Sequence, residues 1–513
     1  MKKIGLALVI VLPLAVGSVF ALRRLNMAKQ ERVYVVGVPA YWQTLIPPLQ
    51  HSLVGFGVMI NQFEPLIRRG RKGVLEPLAA SSWDFSEDRK HLRFKIDTSR
   101  QFSDGSKLFA KDFKKSWEDG LRMQPRASNS SLADALSNLK GFSKLNEKGS
   151  IDGLRVVGAD VLELEFEKPV RSALDHLSGV RYSVYKTSGS ITLGTGPYVI
   201  TEKDRILELV PNKFYSGEKP GLKNVRIIVA AANTAFEKLK TGEIDAQLFA
   251  ENAKLPGCDE GGGGQVQCAF GQEGTHLIVA LNGLPGAFFS KPANRSAFQA
   301  LVLQRFKGEK ATWPIQTNGF LRDPQSFLKF QAGRLSDEEA AVVINEGERH
   351  IPEFIKATNK HPLRLSQKWD WLVEYLTERG VHLEKNIRAT ITEEERLNIY
   401  HKTFDVDVMP MTASVYDGDP DCLYHLLGRS GAIFSPMIER SGVTKMLEGG
   451  RRLLDQSKLH LYYRDVSKTI LQEVPYIHLG YYYRGVAYNS TRVHVNESFG
   501  NRNNQSLTVF SPN

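Results

Sequence analysis

A helix that leads directly into a strand is the feature that most constrains this chain, and residues 234–248 show it most clearly. Thr234 and Glu237 have the spacing of a capping box at a helix start, and Gly242 suits the helix end. The run IDAQLF that follows predicts a strand. Strands and helices that alternate on this scale predict α/β lobes whose sheets are largely parallel or mixed.

The same alternation recurs along the chain. β-Branched and alternating runs predict strands, and a helix is expected at 53–63, where Glu64-Pro65 would stop it. The predicted strands are residues 32–38, 92–96, 198–200, 206–210, 225–230, 363–366 and 404–411, and residues 154–169 are predicted to be a strand-and-turn unit.

Residues 102–121 read FSDGSKLFAKDFKKSWEDGL and combine a tight turn with an amphipathic helix. Phe109, Phe113, Trp117 and Leu121 recur every four residues, which predicts one apolar face. The lysines between them are predicted to face solvent. The stretch therefore indicates a scaffold element whose role is core packing.

At 513 residues the chain is too long for one hydrophobic core, and about three domains are expected. Its formal charge of +11 comes from scattered residues. The dense basic run at 68–73 contains two glycines, so we interpret it as a hairpin turn rather than a phosphate-binding patch. No nucleic-acid partner is predicted.

The N-terminus has the pattern of an export signal. Two lysines precede an apolar segment, and Val19-Phe20-Ala21 suits cleavage after Ala21, so residues 1–21 are predicted to be a signal peptide. A retained anchor is the alternative, because residues 4–22 are just long enough to span a membrane. Both alternatives place the remaining chain in the periplasm, free or tethered to the inner membrane.

The chain has three cysteines. Cys258 and Cys268 flank a glycine-rich loop that can bring their sulfurs together, so a disulfide is expected in an exported chain. Two free thiols are the alternative. Cys422 is left over, and no cysteine or histidine spacing predicts a metal site.

Seven segments in one order resemble a known family. They include FSDGSKLFAKDFKKSW, GTGPYVI and LQEVPYIHLG, and together they are similar to the bacterial extracellular solute-binding proteins of family 5. That family contains the dipeptide-, oligopeptide- and nickel-binding components of ABC importers. The resemblance runs from about residue 33 to about residue 485, and its segments are residues 63–96, 102–117, 194–200, 211–227, 235–248, 417–421 and 471–480.

The resemblance implies an α/β fold of the type II periplasmic-binding-protein class, with two lobes, mixed sheets and a hinged ligand cleft. It also implies an extra domain inserted into the first lobe. On this sequence, lobe I would comprise 32–58, 189–280 and 480–513. The inserted domain would be 59–188, and lobe II would be 281–479.

The resemblance further implies a substrate-binding protein that captures a small solute, a peptide in the first instance. The closed form would dock on an inner-membrane ABC permease and release the solute unchanged. We expect a monomer with no cofactor and no bound metal. The alternatives are the same fold binding a metal chelate, haem or a sugar, and a membrane-tethered solute sensor.

The stretch YDGDPD at 416–421 carries the predicted ligand site. In peptide-binding relatives an aspartate four residues before this proline holds the peptide's α-ammonium, but here that position is Tyr416. Asp417 or Asp419 would have to take over, since a buried cation needs an opposite charge. The alternative is a turn in which both carboxylates cap their own backbone.

Three further side chains are candidates for contact with the ligand. Trp42 follows the first predicted strand, and Trp369 lies in the run KWDW. Arg364 is able to pair with a ligand carboxylate. For the two tryptophans, packing or a surface position is the competing interpretation.

Catalysis is not predicted. The sequence has no GxSxG, HExxH or P-loop motif, and its 12 histidines are dispersed. We therefore expect a binding protein and not an enzyme.

Overall fold

The computed structural model describes residues 32–50, 52–70, 74–123, 132–145, 149–189, 191–251, 264–305, 337–366, 369–385, 387, 406–414, 423–428, 442–496 and 506–513. Its strands, in chain order, are β1 Val33–Val38, β2 Ile67–Arg69, β3 Leu75–Pro77, β4 Ala80–Phe85, β5 His91–Ile96, β6 Leu154–Val157, β7 Val161–Glu165, β8 Lys186–Ser188, β9 Ile191–Leu193, β10 Tyr198–Lys203, β11 Ile206–Pro211, β12 Asn224–Val229, β13 Ala246–Glu251, β14 Val266–Leu281, β15 Val408–Ser414, β16 Tyr476–Asn489, β17 Val493–Val495 and β18 Phe510–Pro512. Its α-helices are α1 Leu53–Met59, α2 Ala110–Arg122, α3 Ala133–Leu136, α4 Ala173–Leu177, α5 Ala232–Thr241, α6 Pro292–Gln304, α7 Asp337–Glu348, α8 Ile351–Thr358, α9 Asp370–Glu378, α10 Tyr424–Leu427, α11 Val443–Gly450 and α12 Gln456–Glu473.

One mixed sheet of eight strands runs through the molecule in the order β10-β11-β12-β1-β13-β16-β14-β15. Strand β1 pairs in parallel with β12 and with β13, whereas β13, β16, β14 and β15 pair antiparallel. Strands β14 and β16 have 16 and 14 residues, far longer than a typical strand. They connect the two ends of the sheet.

The hydrophobic core changes along these two long strands. Val266 and Ala269 of β14 pack with the strands β1 and β10–β13, which we call the first lobe. Ile278 and Val279 of the same strand pack with β15 and the helices α6–α12, which we call the second lobe. The sheet is therefore continuous, but its two ends belong to separate cores. This is the two-lobed α/β architecture that was predicted.

A four-stranded antiparallel sheet, β4-β5-β7-β6, forms a third unit with α2–α4. It is built from chain that leaves the main sheet after β1 and returns at β10, so we call it the inserted domain. Its core includes Phe94, Trp117 and Leu164, all nearly inaccessible to solvent.

The helix predicted from residues 102–121 is confirmed as α2. Phe113, Trp117 and Leu121 are buried in the inserted domain, and Lys111 is exposed. The preceding turn needs a glycine, because Gly105 has a φ of +88° and a Cβ there would lie 2.8 Å from the Phe214 ring. Strands β2 and β3 also form the hairpin predicted around the basic run.

Three local predictions were wrong. Helix α1 ends at Met59 because the Asn61 amide donates to the carbonyls of Gly57 and Val58, each at 3.1 Å. The capping box fails because α5 begins earlier, and the Thr234 hydroxyl instead donates back to the Ala231 carbonyl at 3.1 Å. The segment 363–366 makes isolated bridges, from Leu363 to Leu383 and from Leu365 to Val408, rather than a strand.

Among the residues that the structure describes, no helix has the length and apolar content needed to cross a membrane. The predicted leader, residues 1–21, and the possible anchor, residues 4–22, lie outside those residues.

Candidate interlobe ligand site

Several strands of the main sheet end at the middle of β14 and β16. In the first lobe, the carboxyl end of β13 reaches Arg484 of β16, where Glu251 is its pairing partner. In the second lobe, the carboxyl end of β15 reaches Thr275 of β14, where Ser414 is its partner. Thr275 in turn lies opposite Tyr482. The two strands therefore end within a few residues of each other, from opposite lobes.

Strands β1 and β12 end at the same edge of the first lobe as β13, since all three run parallel. Ligands of open α/β sheets bind outside the carboxyl ends of strands, where the connectivity reverses. The sheet register thus indicates a ligand site at the junction between the lobes.

The pairing of β14 with β16 is irregular at this junction. Phe270 pairs with Gly485 and Gly274 pairs with Tyr483, so β14 advances four residues while β16 advances two. A bulge of this kind interrupts the ladder hydrogen bonds and bends the strand. The two strands that join the lobes are therefore least regular at the level of the candidate site.

The loop after β1 is held in a strained shape at this edge. Gln43 has a φ of +56°, and the Thr44 amide donates to the Trp42 carbonyl at 2.6 Å. The fully buried Gln50 amide donates to the carbonyls of Trp42 and Thr44. Strained backbone persists when its surroundings enforce it, and such sites are often functional.

Within this loop the Trp42 ring is buried in the first-lobe core, with 3% of its surface exposed. Its neighbour Tyr41 is 48% exposed and meets the Trp42 ring edge-on at 5.8 Å. The Arg205 guanidinium lies 5.0 Å from the centre of the Tyr41 ring. The ring that this loop presents to solvent therefore belongs to Tyr41, a residue that no sequence motif marks.

The second-lobe candidates have protein partners. The Nε of Arg364 lies 3.7 Å from a Glu384 carboxylate oxygen, and its backbone amide donates to Asp407 at 2.9 Å. Trp369 precedes α9 and packs against the second-lobe core, 6.1 Å from the Trp371 ring. The roles predicted for Arg364 and Trp369 in ligand binding stay predictions.

The remaining predicted residues lie outside the described part of the chain. These are Tyr416, Asp417 and Asp419, which follow the end of β15 at Ser414 by two to five residues, and Cys258. Cys268 lies in β14, where it pairs with Ala487. The disulfide and the roles of the three site residues therefore stay predictions.

The GTGPY motif joins the first lobe to the inserted domain. A Cβ at Gly194 would lie 2.0 Å from the Gln62 carbonyl oxygen, so the two backbones approach too closely for any side chain. The Thr195 hydroxyl donates to the Glu64 carboxylate at 2.9 Å, and Arg100 pairs with the same carboxylate at 2.6 Å.

Burial raises the pKa of the Glu64 carboxyl, against the opposing effect of the Arg100 guanidinium. Glu64 lines a cavity of about 280 Å³, together with Arg68, Glu76 and Tyr215. Desolvation raises the pKa of Tyr215 to about 12. Arg68 and Glu76 form an ion pair at 3.0 Å, and Glu64 is paired with Arg100. Because its charged side chains are already paired, we interpret this cavity as part of the junction between the first lobe and the inserted domain.

In the residues that the structure describes, no group of three or more histidine, cysteine, aspartate or glutamate side chains is arranged to hold a metal ion.

Residues 74–302 match the family model described as bacterial extracellular solute-binding proteins, family 5 Middle. The dipeptide-binding protein DppE of Bacillus subtilis is 24% identical over 216 residues, 39% of each chain. The periplasmic murein peptide-binding protein MppA of Escherichia coli is 26% identical over 245 residues, 44% of each chain. The matches to these curated relatives thus span less than half of their length.

Solved structures share the fold over nearly the whole chain. E. coli MppA superposes with a TM-score of 0.72 at 17% identity, covering 94% of this chain and 99% of that one. Its unliganded open form, at the same identity, covers 94% and 98% but gives a TM-score of only 0.58. The nickel–histidine complex of NikZ from Campylobacter jejuni gives 0.70 at 16% identity, covering 93% and 99%.

These likenesses confirm the predicted periplasmic-binding-protein fold, and the chain superposes less well on the unliganded open form of MppA than on the other MppA structure. Four of the seven segments found in the sequence, 102–117, 194–200, 211–227 and 235–248, lie within the matched residues. Residues 74–302 of this chain are therefore similar to the bacterial extracellular solute-binding proteins of family 5.

Proposed function

We propose that this chain is the substrate-binding protein of an ABC importer. It captures a small solute between its lobes and delivers it to an inner-membrane permease. The observation that supports this most is the convergence of β13 and β15, from opposite lobes, on the middle of β14 and β16. A solute held there would touch both lobes only when they are closed, so its binding would favour the closed form.

A peptide is the proposed solute, because the relatives DppE and MppA are named as dipeptide- and murein peptide-binding proteins. Tyr416, with Asp417 or Asp419, would contact it from the second lobe, immediately beyond β15. The loop after β1 would contact it from the first lobe, through Trp42 or the exposed Tyr41. The carboxylates would neutralise the peptide's α-ammonium, whose burial would otherwise oppose binding.

Calorimetric titration with di- to pentapeptides tests this proposal. At least one peptide should bind, and Tyr416→Ala should weaken its affinity at least tenfold, which is about 1.4 kcal/mol. The matched Tyr416→Phe variant keeps the ring and should retain most of the affinity. If no peptide binds, or if Tyr416→Ala binds as well as the wild type, the peptide site is wrong.

The same titration should include nickel with L-histidine, because NikZ shares the fold and its solved complex contains that chelate. A response to the chelate without a response to any peptide would favour the second candidate function, metal-chelate import. In either case we propose that the solute leaves unchanged. Mass spectrometry of the solute before and after incubation should show one compound.

We further infer that the lobes follow the predicted boundaries, with lobe I at 32–58, 189–280 and 480–513, the inserted domain at 59–188 and lobe II at 281–479. The change of core along β14 and β16 supports this division.

Export, cleavage after Ala21 and a Cys258–Cys268 disulfide complete the proposal, in which the mature chain is a monomer. Intact-mass measurement of the periplasmic protein, without reduction, should show a chain that begins at Leu22. Alkylation should then label one cysteine rather than three. A chain that retains Met1 would instead support the tethered sensor.

A further inference from the structure

The inserted domain meets the second lobe through polar side chains. The amide of Arg171, just before α4, donates to the carbonyl of Arg451 at 2.8 Å. The Arg451 guanidinium lies 3.4 Å from Nε2 of His176, which is on α4. Arg451 and His176 are both almost completely buried. Among the described residues, the hydrophobic cores of these two units share no member.

Two tyrosines of the second lobe complete this contact. The Arg451 guanidinium lies 4.1 Å from the centre of the Tyr424 ring, and that of Arg171 lies 6.0 Å from the Tyr463 ring. Each arginine thus faces an aromatic ring, an arrangement that stabilises a partly desolvated cation. The contact is ordered and specific, although it is not hydrophobic.

The hydrogen bond between Arg451 and His176 sets a condition on the histidine. A guanidinium can only donate, so Nε2 of His176 must accept, and the imidazole must be neutral. A protonated imidazole would donate from both nitrogens and would place a second buried cation beside Arg451. Gain of one proton would therefore replace an attractive contact with a repulsive one.

The described charged groups near His176 come from its own helix and from the second lobe. On its own helix, Asp175 is paired with Arg69 of β2, and Arg171 precedes the helix. From the second lobe, the Arg451 guanidinium contacts the imidazole. Apart from the paired Asp175, these described groups are cationic, so they disfavour a charged imidazole.

We propose that Arg171, His176 and Arg451 form an acid-sensitive latch that holds the second lobe against the inserted domain when the lobes are together. Arg451 belongs to the lobe that must move, and His176 belongs to a domain that is packed on the other lobe. Histidine side chains ordinarily gain a proton near pH 6.5. Mild acid would thus release the latch and shift the protein toward its open form. This inference depends on lobe movement and not on the identity of the solute.

Small-angle X-ray scattering of the full-length, ligand-free protein at pH 7.5 and pH 5.0 tests the latch. The wild-type radius of gyration should increase at pH 5.0. His176→Gln keeps an acceptor for Arg451 but cannot titrate, so its radius of gyration should stay constant. His91→Gln, at an exposed histidine of the same domain, is the matched control and should behave like the wild type.

Hydrogen exchange at the Arg171 amide provides a second measurement that does not need a change in overall shape. After correction for the intrinsic effect of pH, exchange in the wild type should be about tenfold faster at pH 5.0 than at pH 7.5. In His176→Gln it should not change. An unchanged wild type in both experiments, or a His176→Gln variant that responds as the wild type does, would overturn the proposal.

Discussion

The inserted domain has two neighbours, and its contacts with them differ in kind. Against the first lobe it buries apolar side chains, among them Met59, Phe63 and Tyr185, in one shared cluster. Against the second lobe it uses the arginines and the histidine of the latch. Separation of an apolar cluster is unfavourable because it exposes the whole apolar surface to water. Polar groups that separate replace their mutual hydrogen bonds with hydrogen bonds to water, so their separation costs less. The difference indicates one permanent contact and one reversible contact.

Close backbone approach reinforces the permanent contact. A Cβ added at Gly120 of α2 would lie 2.6 Å from the ring of Pro48 in the first lobe. The Ser103 amide donates across the same contact to the Gly194 carbonyl at 2.9 Å. The inserted domain should therefore move with the first lobe, and the second lobe should move relative to both.

The largest effect is expected from Phe63→Ala, which opens a cavity in the apolar contact. Its side chain is 1% exposed, so the loss in free energy of unfolding should be about 3–5 kcal/mol. Urea-induced unfolding followed by tryptophan fluorescence measures this loss. Ile191→Ala, at a side chain that is 52% exposed, should change stability by less than about 0.5 kcal/mol. Similar losses in both variants would contradict a buried apolar contact at Phe63.

Gly120→Ala should destabilise the protein by about 1–3 kcal/mol, because the new methyl group collides with Pro48. Helix propensity alone predicts the opposite sign, a gain of about 1 kcal/mol. The sign of the change in thermal unfolding therefore decides between the two. Lys111→Ala, at an exposed position of the same helix, should be nearly neutral. A stabilised Gly120→Ala variant would mean that α2 is not tightly packed on the first lobe.

Native-state hydrogen exchange can compare the two contacts within one sample. The Arg171 amide donates across the contact with the second lobe, and the Ser103 amide donates to the Gly194 carbonyl across the contact with the first lobe. Arg171 should exchange about tenfold faster or more, because the polar contact opens without unfolding of the apolar one. Equal protection of the two amides would show that both contacts open together.

The smallest effect concerns pH. Because burial raises the pKa of Glu64, the folded chain holds this proton more tightly than the unfolded chain does. The stability from this group is present at low pH and is lost as pH rises from about 4.5 through the raised pKa. In urea titrations at a series of pH values, Glu64→Gln should remove the part of the decline in the free energy of unfolding that this carboxyl causes. Glu76→Gln, in the same cavity but more exposed, should retain it.

Much of the architecture was predictable because it depends on short-range pattern. The stripe on α2, the glycine that ends α5 and the alternating strands predicted their elements, since local backbone preference and a buried face agree there. The predicted end of a helix was wrong where a side chain competed for the backbone carbonyls, as the Asn61 side-chain amide does at the end of α1. The strand predicted at 363–366 was wrong because a strand must pair with a neighbouring segment over several successive residues, and this segment makes isolated bridges instead.

The sequence by itself determined the resemblance to solute-binding proteins, the α/β class and the amphipathic scaffold, because these are carried by ordered motifs and by periodicity. Only the tertiary structure decided that β13 and β15 end at one place, that Tyr41 rather than Trp42 is exposed, and that His176 meets Arg451. His176 and Arg451 are 275 residues apart in the chain. No local pattern encodes a contact over that distance, because it depends on how separately folded units pack together.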